Sequence, residues 1–166
     1  MDESPCGGAA RTVSPVEAPV DLRDIETRDD VERLVRAFYT KALADPVIGF
    51  IFTDVARLDL EAHLPVIASF WETILLDAKT YDGAPFAVHA ALHEKVGLQE
   101  GHFQRWLGLW FGTVDELFAG ERSDLAKVHA LRVAQAFLGR LRDYPSARDT
   151  EAPDGLTVTQ HGDRPG

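Results

Sequence analysis

The chain has 166 residues, a usual length for one domain, and 45% of them are hydrophobic, which is enough for a single core. Acidic residues outnumber basic ones by 27 to 17, so the formal net charge is −10. Because binding to phosphate groups requires a basic surface, this charge argues against nucleic acid or an anionic membrane as a partner. No apolar run reaches the ~18 residues of a membrane span, and the N-terminal segment lacks the features of a signal peptide. We therefore expect a cytoplasmic protein whose one cysteine, Cys6, forms no intramolecular disulfide.

The two ends of the chain differ in composition from its middle. Residues 1–22 and 145–166 are rich in Pro, Gly, Ser and polar residues without periodicity, which predicts flexible tails around one domain at 23–144. His161 falls in the second tail. Between the tails nearly every segment has helical periodicity and none alternates as a strand does. The sequence therefore predicts an all-α domain of about five helices, one of them short.

Local signals indicate where the first helices begin. Thr27-Arg28-Asp29-Asp30 resembles a capping box and predicts the start of a first helix, which Asp45-Pro46 ends. The second helix, near 60–77, contains Pro65, which fits only a first turn, so His63 is expected at or just before the helix start. The apolar face of the first helix is predicted to comprise Val31, Leu34, Val35, Phe38 and Ala42.

Three further helices follow. Pro85 suits the first position of a short helix ending near Gly97, and a long helix runs from about Glu100 to Ala119. The last helix, about 122–143, is predicted to present an apolar face of Leu125, Val128, Leu131, Phe137, Leu138 and Leu141. Bundles of this size often enclose a cofactor between facing helices.

The segment HAALHEKVG, residues 89–97, puts two histidines four residues apart on one helix face. In the zinc-protease helix H-E-x-x-H, the glutamate after the first histidine is the general base. Here Ala90 stands in that place and cannot move a proton, which excludes the protease interpretation. The chain also has no Gly-rich phosphate loop, G-x-S-x-G elbow or CxxC pair, so nothing supports covalent or hydrolytic catalysis.

The remaining signal is a set of histidines and aromatic residues within apolar stripes. Tyr39 and Trp106 carry O–H and N–H donors, and His63, His89 and His93 carry imidazoles. An apolar pocket with a neutral imidazole and a few such donors is what a haem site requires. The residues alone favour a haem pocket and leave open which histidine binds the iron.

Four stretches of the chain carry a family pattern: FYTKALADPVIGFIF (38–52), HLPVIASFWETILL (63–76), YDGAPFAVHAALH (81–93) and HFQRWLGLWFGTVDELF (102–118). The Phe-Tyr pair, the histidine followed eight residues later by tryptophan, and the Phe-x-Arg-Trp-Leu segment occur in the family's order at similar separations. On these motifs the chain, over about residues 25–143, resembles the truncated haemoglobins, and within them group III. The resemblance implies a two-over-two sandwich of helices around haem b.

The resemblance also implies roles for individual positions. Tyr39 corresponds to the distal tyrosine that faces a bound ligand, and His63 to the distal histidine at the mouth of the pocket. Trp106 corresponds to the tryptophan whose indole N–H points into the distal pocket. Further residues expected to line the cofactor are Phe52, Ile67, Phe70 and Phe103.

The resemblance leaves two candidates for the iron ligand. Counting back from Trp106, the thirteen-residue step to His93 matches the usual step from ligand to tryptophan, and Gly97-Leu98 resembles the pair that follows the ligand in group I. Counting forward from Trp71, His89 matches some group III members without a gap. We predict His93 as the metal ligand, with His89 as the alternative.

The implied function is reversible binding of O₂ and other diatomic gases, CO and NO, at a five-coordinate haem iron. Donors from Tyr39 and Trp106 in a water-poor cavity predict slow O₂ release, which suits sensing, scavenging or redox chemistry better than delivery. The alternative is a haem enzyme with peroxidase-like or NO dioxygenase activity that needs a reductase partner. A third reading, from another class, is a helical interaction module without a cofactor.

Overall fold

The computed structural model of the protein describes residues 22–146. The predicted tails, apart from residues 22, 145 and 146, lie outside this range, and so do Cys6 and His161. The helices are α1 (Arg28–Leu43), a single π-helical turn (Ile51–Val55), α2 (Leu60–Leu75), α3 (Pro85–Val96), α4 (Glu100–Leu117) and α5 (Glu121–Leu141). Residues 22–146 contain no strand, so the predicted all-α fold is confirmed, with a π-helical turn added between α1 and α2. Within the same residues, no helix combines the length and the apolar character that crossing a membrane requires.

The start of α1 is the capping box that the sequence predicts. The Thr27 hydroxyl accepts from the Asp30 N–H at 3.2 Å, and the Asp30 carboxylate accepts from the Thr27 N–H at 3.0 Å. The guanidinium of Arg23 also donates to Asp30 and is the main reason that the pKa of this carboxyl lies well below its usual range. Every apolar residue predicted for the inner face of α1 is buried.

The start of α2 differs from the prediction. The helix begins at Leu60, so His63 lies inside the first turn rather than at or before its start. The reason is a stronger cap upstream, because the Asp59 carboxylate accepts from the N–H of Ala62 at 3.3 Å. Pro65 therefore falls in the second turn, near the exposed end of the helix, where it removes one backbone hydrogen bond.

The long helices form two packed pairs. α1 packs against α2 and α4 packs against α5, while α1 also contacts α4 and α2 contacts α5. The short α3 contacts the π-helical turn and α5 at one end of this arrangement. Buried apolar side chains from all five α-helices join in a single core.

The predicted apolar face of α5 is wrong in its N-terminal half. Leu125, Val128 and Leu131 are exposed, whereas Phe137 and Leu141 are buried as predicted. The side chains that α5 turns to the core ahead of Phe137 are instead Ala126, Ala130 and Ala134. The reason lies on α4, where the buried indole of Trp110 donates its N–H to the carbonyl of Ala126 at 3.2 Å. So close an approach of a large ring to the α5 backbone leaves room only for small side chains.

Candidate functional site

An apolar cavity of about 270 Å³ lies between α2, α3 and α4, with residues of α1, the π-helical turn and α5 completing its walls. None of the residues that line it is Arg, Lys, Asp or Glu. The predicted site residues that line it are Tyr39, Phe52, His63, Ile67, Phe70, His89, Phe103 and Trp106. Because its walls are largely aliphatic and aromatic, the cavity suits a mainly apolar ligand.

His89 lines this cavity, and its imidazole ring has a defined protonation state. Its Nδ1 lies 2.8 Å from the carbonyl oxygen of Pro85, and because a carbonyl can only accept, Nδ1 carries the proton. Burial, which outweighs the effect of that hydrogen bond, lowers the pKa of the imidazole from its ordinary value. The ring is therefore neutral and Nε2 keeps its lone pair, as a metal ligand requires.

His93 does not line the apolar cavity. It lines a separate, more open cleft of about 620 Å³ between the end of α3 and the end of α5. His89 and His93 are four residues apart, which corresponds to a rise of about 6 Å along the helix. Leu98 lines both the cavity and the cleft and so lies between the two spaces. Of the two candidates it is therefore His89 that lines the apolar cavity, while the choice of either histidine as the metal ligand stays a prediction.

Two hydrogen-bond donors face the cavity from α1 and α4. Tyr39 packs edge-on against Phe52 at 5.7 Å between ring centroids, and its hydroxyl bonds to no residue within 22–146. Burial raises the pKa of Tyr39 to about 12, so the hydroxyl stays protonated and can donate. Trp106 lies parallel to Trp110 at 6.0 Å, and its indole N–H likewise has no acceptor in the described part of the chain.

His63 lies at the exposed mouth of the cavity. Its Nδ1 is 3.0 Å from the carbonyl oxygen of Asp59, so this ring also has its proton on Nδ1. Nε2 is then an acceptor, and in this tautomer His63 cannot donate to a ligand in the cavity. The donors that the family resemblance assigns to the distal side are Tyr39 and Trp106.

The cavity is also lined by residues that the sequence analysis did not assign to the site. Val66 and Val88, which are 53% and 61% exposed, stand at its rim, where an apolar ligand would cover them. His102 also lines the wall, and its position one turn before Trp106 on α4 was a signal for it. Phe137 was predicted only as part of the apolar face of α5.

The site does not resemble one in which the protein alone holds a metal ion. Within residues 22–146, no group of three or more His, Cys, Asp or Glu side chains comes together as a metal site. What the cavity offers instead is the neutral imidazole of His89 among aromatic walls. Such a donor set fits a metal that brings most of its own ligands, as the iron of haem does.

This all-helical arrangement, with two packed pairs of long helices and a short helix beside an aromatic cavity, matches a truncated haemoglobin in structure, so the predicted fold class is confirmed. The chain is 25% identical over 120 residues to the group 3 truncated haemoglobin Ctb of Campylobacter jejuni, a match that covers 70% of this chain and 92% of that protein. It also superposes on the crystal structure of the group III truncated haemoglobin from Campylobacter jejuni with a TM-score of 0.62 and 25% identity. That superposition covers 71% of this chain and 94% of the other. The predicted resemblance to group III is thus confirmed, although no family model matches the chain.

Proposed function

We propose that this protein binds haem b through His89 and uses it to hold O₂, CO and NO reversibly. The observation that carries the proposal is the proton on Nδ1 of His89, which leaves the lone pair of Nε2 to a cavity without charged walls. The similarity to a truncated haemoglobin supports the same function. When bound, haem supplies an iron atom with one coordination position open to a diatomic gas.

The residues present fit this cofactor on both sides. His89 supplies one neutral imidazole, and the exposed aliphatic rim at Val66 and Val88 provides apolar surface for the edge of a porphyrin. Phe52, Phe70 and Phe103 add flat apolar contacts in the wall of the cavity. Together these side chains would exclude water from the centre of the site and pack against the cofactor.

Tyr39 and Trp106 determine how firmly a gas is held. Both have a donor hydrogen without a partner within residues 22–146, and both line the same cavity. A gas that gains partial negative charge accepts from them, and a hydrogen bond to a charged acceptor contributes ~1.5–3 kcal/mol. One such donor slows release roughly 10- to 150-fold by this arithmetic. We therefore propose slow O₂ release. The alternative, a peroxidase-like or NO dioxygenase activity that needs a reductase partner, stays a prediction from the sequence.

The absorption spectrum of the purified protein tests the proposal most directly. After haem is supplied, we expect a Soret band that shifts on reduction and again on addition of CO, as a five-coordinate haem with an open position does. A protein that shows no Soret band after haem is supplied would contradict the proposal and favour an interaction module without a cofactor. Measurement of the O₂ dissociation rate then tests the slow release separately.

A further inference from the structure

The ring of Phe137, on α5, lies directly against the imidazole of His89. The two ring centroids are 4.7 Å apart and the planes are tilted by 51°. Phe137 is buried and lines the same cavity as His89. It is thus an aromatic neighbour of His89, contributed by a different helix.

Phe137 is itself held from behind by residues outside the cavity. Its ring packs edge-on against Phe86 of α3, with centroids 5.4 Å apart. The guanidinium of Arg140 lies over the ring of Phe86 at 3.5 Å, a cation–π contact, and Tyr144 packs against the same ring at 5.4 Å. A row of Arg140, Phe86, Phe137 and His89 therefore links the C-terminal half of α5 to α3.

The hydrogen bond to Pro85 does not by itself fix the His89 ring. It restrains one atom, Nδ1, while the torsion about the Cβ–Cγ bond of histidine is broad and has no sharp minima. The ring could tilt about the hydrogen-bond direction, and Nε2, on the far side of the ring, would move with it. A buried ring at 4.7 Å removes this freedom on the side that it occupies.

We propose that Phe137 is a positioning residue for the metal ligand. Its contact with His89 sets the tilt of the imidazole, and the Phe86–Arg140 stack keeps Phe137 in place. This inference rests on the proposed function in taking His89 as the haem ligand. The contact itself exists without the cofactor, so its effect on the histidine ring can be measured in the haem-free protein.

The first test is ¹⁵N NMR of the histidine rings in the full-length, haem-free protein. Wild type should show His89 as a single Nδ1–H tautomer, with the peaks assigned through His89→Ala. Phe137→Leu keeps apolar volume but removes the flat ring, and we expect its His89 ring signals to broaden as the ring samples several tilts, while the Nδ1–H tautomer held by the Pro85 carbonyl is retained. Phe137→Tyr should retain the wild-type signals. Unchanged line widths of the His89 ring signals in Phe137→Leu would overturn the proposal.

The second test measures the iron–imidazole stretching band of the reduced, haem-loaded protein by resonance Raman spectroscopy. We expect one narrow band in wild type and in Phe137→Tyr, and a shifted, broadened or split band in Phe137→Leu. Leu138→Ala is the matched control, because Leu138 is the adjacent α5 residue and does not line the His89 cavity. A band in Leu138→Ala altered as much as in Phe137→Leu would indicate general loosening of α5 and count against Phe137. Absence of the band in wild type would contradict the haem function instead, and the NMR result would still decide the role of Phe137.

Discussion

The Nδ1–H of His89 donates to the carbonyl oxygen of Pro85, four residues earlier on the same helix, at 2.8 Å. His63 makes the same contact with Asp59 at 3.0 Å, so both rings have their lone pair on Nε2. The difference between them is burial, since His63 is exposed at the mouth while burial lowers the pKa of His89. The helical fold thus provides two similar imidazoles, of which His89 is the more enclosed and His63 the exposed one.

Replacing His89 by alanine should abolish the Soret band of bound, five-coordinate haem. The reason is that the other histidines of the cavity are placed differently, since His63 is exposed at its mouth and the Nδ1 of His102 accepts from the N–H of Gln99 at 3.1 Å. The matched control is His93→Ala, which removes the same side chain one turn later and should leave the spectrum intact. Free imidazole added to His89→Ala should restore the band by filling the vacant space. The reverse pattern, with haem lost only in His93→Ala, would return the ligand to His93.

Replacing Tyr39 by phenylalanine should speed O₂ release. The substitution removes the hydroxyl and keeps the ring, so the edge-on contact with Phe52 is preserved. Loss of one donor to a charged acceptor predicts a dissociation rate roughly 10- to 150-fold higher, measured by stopped flow. CO, which gains less negative charge than O₂, should show a smaller change and serves as the internal control. An unchanged O₂ rate would remove Tyr39 from the distal role.

Acidification should release haem only below the ordinary pKa of histidine, 6.5. In the folded protein the pKa of His89 is lowered, because burial disfavours the charged ring. As the pH falls, the unfolded chain therefore takes up the proton on His89 before the folded protein does. The stability that the neutral ring contributes is present above pH 6.5 and is lost as the pH falls through the pKa of His89 in the folded protein. The measurement is the Soret absorbance along a pH titration. A midpoint above 6.5 would contradict the buried, neutral state of His89.

Enlarging a buried alanine of α5 should destabilise the protein. Ala130 is fully buried between Ala126 and Ala134 on the face that meets α4, so Ala130→Leu should lower the free energy of unfolding by about 1–3 kcal/mol. The neighbouring change Leu131→Ala is the control, because Leu131 is exposed and its loss should change stability by no more than about 0.5 kcal/mol. Urea unfolding followed by circular dichroism measures both. A larger effect of Leu131→Ala would mean that α5 packs through its leucine face.

Where local rules decide the structure, the sequence was sufficient. The capping box at Thr27–Asp30 starts α1, Pro85 starts α3, and Gly97 ends α3 in a left-handed conformation with φ 61°. Each depends on hydrogen bonds or torsions within a few residues, so the surrounding fold has little power to change them. The residues carrying the family resemblance also predicted the cavity lining, from Tyr39 on α1 to Trp106 on α4.

Where two possible buried faces of a helix share the same periodicity, the sequence does not distinguish between them. On α5, both Leu125–Val128–Leu131 and Ala126–Ala130–Ala134 follow helical spacing, and hydrophobicity favours the first. The large buried ring of Trp110 on α4 decides for the second, because the two backbones approach too closely for bulky side chains. Spacing along the chain contains no information about the size of the opposing residue.

The choice between His89 and His93 has the same origin. The sequence by itself determined that a short helix with two imidazoles on one face would stand beside aromatic residues, because periodicity and proline and glycine signals are local. Only the tertiary structure decided which turn of that helix meets the cavity. That outcome depends on where α3 lies relative to Leu98 and α5, which separate the cavity from the neighbouring cleft. Sliding α3 by one helical turn along its axis would exchange the places of the two histidines without any change in the sequence signals.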